Sequence, residues 1–203
     1  MNVCERSRRM TTDFVKKLAT PDTRGCFAGS ETVTVESVGI TPISSIRIGD
    51  RVLAADAAGN TLYSDVVFVP HGPNEDTALF VHITTAHGRD IKMTANHIIP
   101  SGACGNTEPF GLSYARAVTV GDCIMTVSGM EEVSAVETVQ GQGLYTIVTN
   151  EEYVVVNGIV ASSFAVNHMM ANLYYHLHRF VYASAPSVLK LPFLQPANEV
   201  RQR

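Results

Sequence analysis

The sequence has no Cys-x-x-Cys pair, no apolar run long enough to span a bilayer, no apolar stretch behind its first basic residues and no internal basic cluster. Each absence removes a class of function. Cys4, Cys26, Cys104 and Cys123 are too scattered for a structural zinc site and too few for a disulfide scaffold; they leave room for one bridge and demand none. A membrane span needs about eighteen or more consecutive apolar residues, and no window supplies them. The opening MNVCERSRRMTTDF has no h-region, so no signal peptide of the chain's own is expected. Charged residues are only 17% of the total, with a net charge of -4, which argues against nucleic acid as a partner. Arg6, Arg8, Arg9, Lys16 and Lys17 near the start, and Arg201 and Arg203 at the end, read as solvated termini.

What is present is apolar and strongly patterned. With 203 residues, 45% of them hydrophobic, the chain is long enough for one well-buried domain and an appendage. Residues 1–25 are polar, with a part-helical stretch expected over Thr11 to Leu18. Residues 26–163 read as all-β: ETVTVESV, RVLAAD, YSDVVFV, LFVHITT, DIKMTA, LYTIVT and YVVVNGIVA alternate with period two between Gly, Asn, Asp and Pro. Gly59-Asn60 and His87-Gly88-Arg89-Asp90 mark hairpins. From Phe164 the period changes. Val166, Met169, Met170, Leu173, Leu177, Phe180 and Val181 fall at helical spacing, so 164–203 is expected to begin as an amphipathic helical tail, ended by Pro186.

The β region repeats itself. ISSIRIGDRVLA at 43–54 resembles YARAVTVGDCIMT at 114–126, each placing Gly-Asp before a strand. LFVHITTAHGRDIKMTANHIIPS at 79–101 resembles LYTIVTNEEYVVVNGIVASS at 144–163. One copy alone would expose its hydrophobic face, and pairing two buries it, so a compact β domain with pseudo-twofold symmetry is expected.

Gly25-Cys26-Phe27 stands just ahead of the first strand run. Read alone, Cys26 is core filler, half a disulfide, a metal ligand or a nucleophile. Together with Ile48-Gly49-Asp50-Arg51-Val52-Leu53, Leu62-Tyr63-Ser64-Asp65, Thr94-Ala95-Asn96-His97 and the run from Val155 to Ser162, it resembles the carboxy-terminal autoprocessing (Hog) domain of hedgehog proteins. That domain belongs to the Hint superfamily shared with inteins. The resemblance is in order and continuous from residue 25 to about 166, and the tail is similar to the family's adduct-recognition region. It implies a Hint-type β fold, a secretory-pathway (ER) or extracellular precursor, and a monomer acting in cis on its own upstream polypeptide. Thr-x-x-His occurs twice, but Thr84-Thr85-Ala86-His87 runs into a hairpin turn, whereas Thr94 and His97 close a strand at the family's distance from Cys26.

The chemistry follows from the residue types. A thiol is strongly nucleophilic even when little ionised, and that of Cys26 can attack the Gly25 carbonyl to give a thioester. Glycine on the carbonyl side leaves the approach open. Holding the partners in place supplies roughly 7 to 11 kcal/mol of the barrier. His97 suits protonation of the departing amine, and Thr94 can hydrogen-bond the scissile amide; the resemblance implies these same roles.

Thioester resolution needs a second acceptor. In hedgehogs it is the hydroxyl of cholesterol, activated by an aspartate whose position His71 fills here. His71 is either a catalytic base towards a sterol, another lipid alcohol or water, or a residue of a Pro-His-Gly-Pro surface turn. Hedgehogs also carry a cysteine where Ser163 follows Ala161-Ser162. These departures place the chain nearer hedgehog-related proteins than hedgehog itself. No cofactor is expected, and the spacing of His71, His82, His87 and His97 matches no compact metal motif. The tail, through 164–194, is expected to touch a sterol, another lipid or a membrane interface, or else to pack as ordinary core. The leading expectation is a self-cleaving acyl-transfer domain, and the alternative is a processing-inactive Hint scaffold that binds. Splicing is not expected, because the chain runs on past the β domain to Arg201-Gln202-Arg203 rather than to a terminal asparagine junction.

Overall fold

A computed structural model describes residues 25–70, 76–105 and 110–163, together with Phe180 and Ser184. The part-helical stretch expected over Thr11 to Leu18 lies outside the described residues, as does the tail apart from those two positions. Within them the chain is almost wholly β. The first copy of the repeat runs through β1 (Phe27–Ala28), β2 (Thr32–Val35), β3 (Gly39–Pro42), β4 (Arg51–Ala55), β5 (Thr61–Phe68), β6 (Thr77–Thr85), β7 (Asp90–Met93) and β8 (Ile98–Ala103). Then follow β9 (Gly111–Tyr114), β10 (Asp122–Thr126), β11 (Gly129–Gln142), β12 (Leu144–Tyr145), β13 (Val148–Thr149), β14 (Tyr153–Val156) and β15 (Ile159–Ser162).

The two Gly-Asp motifs fold alike for a local reason. Each follows a single 3-10 turn, Ile43–Ser45 in one copy and Ala115–Ala117 in the other. Gly49 and Gly121 then take φ of 96° and 93°, a left-handed conformation that a side chain disfavours. The Asp50 carboxylate accepts the Arg47 N–H at 2.8 Å, and Asp122 accepts the Thr119 N–H at 2.7 Å. Both glycine N–H groups donate onward at 2.9 Å, Gly49 to Val66 of β5 and Gly121 to Val133 of β11. The turn thus launches one strand and grips the next.

Those next strands are exchanged between copies. β5 leaves the first copy to pair β13 of the second, with Phe68 opposite Val148. β11 leaves the second copy to pair β6 of the first from one end of β6 to the other, from Val133 opposite Thr85 to Gln142 opposite Thr77. This reciprocal exchange is the arrangement expected if neither copy can cover its own apolar face. The shared core draws Val52, Val66, Ile83, Ile91, Ile99, Ile124, Val133, Val154 and Ile159 from both copies. Both hairpins read from the sequence are present: β4 pairs β5, and β6 pairs β7. In the first, Asp56 accepts the N–H groups of Ala58 and Asn60 and the Asn60 side-chain amide, which together hold its carboxyl below the ordinary value, the Asn60 side chain foremost.

One reading needs adjusting, and another, which left room for a single disulfide, is completed. LYTIVT is two short strands rather than one, because Thr146 and Ile147 step out of the ladder between β12 and β13. The four cysteines do make a bridge: Cys104 and Cys123 form a disulfide that ties the end of β8 to β10, where Cys123 stands opposite Gly102. Cys4 lies outside the described residues.

Candidate active site at the Gly25–Cys26 peptide

Strand register puts residue 26 between two threonines. In β1, Phe27 lies opposite Met93 of β7 on one side and Tyr145 of β12 on the other, both antiparallel. One step back along β1 is one step forward along each neighbour, so Cys26 is flanked by Thr94 and Thr146. The side chains use that placement. The Cys26 N–H donates to Thr94 Oγ1 at 3.0 Å, and the Thr94 N–H donates to the Cys26 carbonyl at 2.8 Å. From the other side, Thr146 Oγ1 donates to the Gly25 carbonyl oxygen. Both polar atoms of the peptide bond ahead of Cys26 are therefore held by hydroxyls.

Cys26 is fully buried and belongs to no disulfide. Its thiol sits in a small apolar cluster with Ala28, Phe80 and Leu144. Thr94 and His97 are fully buried as well. They bracket a turn: Thr94 follows β7 and His97 precedes β8, so His97 opens a strand rather than closing one. The His97 N–H donates to the Thr94 carbonyl at 2.9 Å, and the Ala115 N–H donates to the His97 carbonyl at 2.8 Å. The Phe27 ring packs on the imidazole, centroids 4.2 Å apart.

The imidazole's tautomer follows from its contacts. Nε2 lies 2.5 Å from the Ser162 carbonyl, which can only accept, so Nε2 carries the hydrogen. Nδ1 is then the basic atom, and it has no hydrogen-bond partner among the described residues. Burial pushes the ring's pKa down from 6.5 to about 4, against the opposing pull of the Ser162 and Cys26 backbones. At neutral pH His97 is an uncharged base enclosed in protein.

The remaining candidates fall elsewhere. His71 lies outside the described residues. His82 pairs with Asp90 at 2.9 Å, and His87 is exposed in the β6–β7 turn beside Glu131. Ser163 is buried directly after Ser162, and its hydroxyl has no partner among the described residues. Sequence reasoning missed Thr146, which sits inside LYTIVT as one more β-former. Only its register against β1 marks it out.

The model of the Hint module family matches residues 17–191. The chain belongs to the Hint family. Relatives include the Tiggy-winkle hedgehog protein of Danio rerio, 32% identical over 73% of this chain, and Warthog protein 6 of Caenorhabditis elegans, 35% identical over 68%. The chain spans only 38% and 24% of those two proteins. The Ssp DnaB mini-intein variant M86 superposes with a TM-score of 0.58 over 70% of this chain and 97% of its own, at 15% identity. The gp41-1 intein does so with a TM-score of 0.54 over 68% and 98%, at 20% identity. At such identities the two inteins share the fold. This Hint domain is thus of the hedgehog-related kind and allied in structure to inteins, and membership supports autoprocessing of its own precursor in general.

Proposed function

We propose that this Hint domain, read as residues 26–163, cleaves its own backbone once, between Gly25 and Cys26, by acyl transfer. The observation that carries the reading is the grip of Thr94 on the Cys26 N–H, with buried His97 in the same turn, its Nδ1 without a hydrogen-bond partner among the described residues. The Cys26 thiol gives its proton to Nδ1, and the sulfur attacks the Gly25 carbonyl carbon. The tetrahedral intermediate then expels the Cys26 nitrogen, which takes that proton as the free amine. One C–S bond replaces one C–N bond, and the proton ends on nitrogen. A histidine with a pKa of about 4 suits the second half of this relay, because once charged it is a strong acid towards the departing amine.

Resolution of the thioester goes to a sterol, another lipid alcohol or water, with His71 as the base and 164–194 as the lipid-contacting segment. The upstream polypeptide is the partner, taken in cis by a monomer. The Cys104–Cys123 disulfide supports a secretory or extracellular setting, since such bridges persist where thiols are oxidised.

Intact-mass measurement on a reporter fused ahead of Met1 tests the reading, with and without dithiothreitol and sterol-containing membranes, beside a Cys26→Ala control. A fragment ending at Gly25, formed only with Cys26 present, is the expected result. Added mass on it identifies the acceptor, and a plain carboxylate identifies water. A folded fusion that stays whole in dithiothreitol would sink the reading and leave a scaffold that binds.

A further inference from the structure

The scissile peptide has two polar atoms, and the relay through Thr94 and His97 uses only the nitrogen side. We infer that Thr146 is a catalytic residue of the same reaction: its hydroxyl, hydrogen-bonded to the Gly25 carbonyl oxygen, is the donor that stabilises the charge arising there. The inference rests on the acyl-transfer reading and adds a residue that the reading does not need in order to be stated.

The geometry is built for that task. Thr146 is 3% exposed, so its hydroxyl acts out of bulk water, where a fixed donor counts for most. It is placed by its neighbours on both sides. Tyr145 and Leu144 are laddered to Phe27 and Ala28, and Ile147, 1% exposed, is anchored in the core. Thr146 and Ile147 leave the regular ladder between β12 and β13, which frees the threonine side chain to reach the carbonyl one residue before Cys26. Thr94 and Thr146 therefore approach one peptide unit from just beyond the ends of β7 and β12, one accepting from its N–H and the other donating to its oxygen.

In the step itself, Sγ bonds to the Gly25 carbon and the π pair moves onto the carbonyl oxygen. That oxygen becomes an oxyanion with the Thr146 O–H already aimed at it. The pair returns as the C–N bond breaks, and Thr146 keeps its own proton throughout. The contact is therefore stronger in the intermediate, where the oxygen carries a full charge, than in the resting amide, which is the condition for accelerating the step.

The test is single-turnover cleavage of the full chain at saturating dithiothreitol, comparing wild type, Thr146→Val and Thr146→Ser. Loss of one such donor is expected to slow Thr146→Val about a hundredfold, whereas Thr146→Ser, which keeps the hydroxyl, stays within about fivefold of wild type. Should the valine variant fail to fold, Thr146→Ala takes its place against Thr146→Ser. In a Cys26→Ala background, a 13C-labelled Gly25 carbonyl is expected to stretch at higher frequency in Thr146→Val and at the wild-type frequency in Thr146→Ser. Cleavage by Thr146→Val at the wild-type rate overturns the assignment, and so does a serine variant as slow as the valine one. A wild-type chain that never cleaves overturns the acyl-transfer reading itself, so the two failures are distinct.

Discussion

Two turns occupy the same place in the two copies of the repeat and do opposite work. In the first copy, Thr94 to His97 joins β7 to β8; in the second, Asn157 and Gly158 join β14 to β15. The second is a tight hairpin whose strands pair directly, from Val156 opposite Ile159 to Tyr153 opposite Ser162. Its Asn157 takes φ of 50° and spends its side chain on structure: Oδ1 accepts from the Thr32 N–H and hydroxyl at 2.8 Å, and Nδ2 donates to Glu31 at 2.7 Å and the Asp90 carbonyl at 3.0 Å. In the first copy β7 pairs with β1 and β6 while β8 pairs with β9 and β10. The four-residue turn therefore bridges strands with different neighbours and carries its polar groups over residue 26. A satisfied turn is a clamp, and one whose buried nitrogen finds no partner among the described residues is a candidate reagent.

The largest expected effect breaks the first turn. His97→Ala is expected to slow thioester formation by about 10²- to 10⁴-fold, the usual scale for losing a proton-transfer group. In the wild type the first step is expected to hold from pH 7 down to pH 5 and to fall with a midpoint near 4, because burial keeps His97 uncharged to that point. Rates at saturating dithiothreitol, corrected for its ionisation, measure this. A midpoint near 6.5 would show a solvated histidine and remove the buried relay. Stability carries the same sign. The unfolded chain binds a proton at His97 near pH 6.5 and the folded one only near 4, so stability is full above 6.5 and is lost as the pH falls to 4, by roughly 3 kcal/mol. Urea unfolding of Cys26→Ala across that range, with and without His97→Ala, isolates the contribution.

The second turn is expected to answer differently. Asn157→Ala removes one donor to a buried carboxylate and the acceptor of the Thr32 N–H, and puts alanine at positive φ, for about 2 to 3 kcal/mol of stability. Glu31 sharpens the point: burial raises its pKa, against the Lys92 N–H and charge and the Ser30 hydroxyl, so it gains most from each donor it keeps. Cleavage per folded molecule is expected to stay at the wild-type rate. A rate that drops with the stability would mean that the two turns are coupled rather than divided in labour.

Much of this division was legible in the chain and part was not. Alternation and turn residues mark most strands, and the Gly-Asp motif marks the repeat because two left-handed glycines and two capping aspartates recur at matching places. Thr94 and His97 stand out because a polar pair at a strand boundary departs from the pattern. Thr146 does not, since threonine is an ordinary β-former and its position beside Gly25 depends on a pairing across 121 residues. β11 is hard to read for a similar reason. Glu131, Glu132 and Glu137 interrupt its apolar pattern, and its length is set by β6, against which it lies, rather than by its own residues. The disulfide is likewise a consequence of register, with Cys104 brought to Cys123 by the pairing of β8 with β10.

The smallest expected effect tests whether the repeat is energetic as well as geometric. Asp50 and Asp122 hold equivalent turns, so alanine at either is expected to cost about 1 kcal/mol in urea unfolding of the Cys26→Ala chain. Asp122 is expected to be the costlier by a few tenths, because Thr119 adds its hydroxyl to the same carboxylate at 3.0 Å where Arg47 has none to offer. The two substitutions share no partner, which predicts additivity within about 0.5 kcal/mol. The exchanged strands provide the one route to a different result. Gly49 grips β5 and Gly121 grips β11, and each of those strands completes the other copy. A double variant losing clearly more than the sum would therefore show that each turn props up its partner's sheet as well as its own, and the two copies would have to be treated as one cooperative unit.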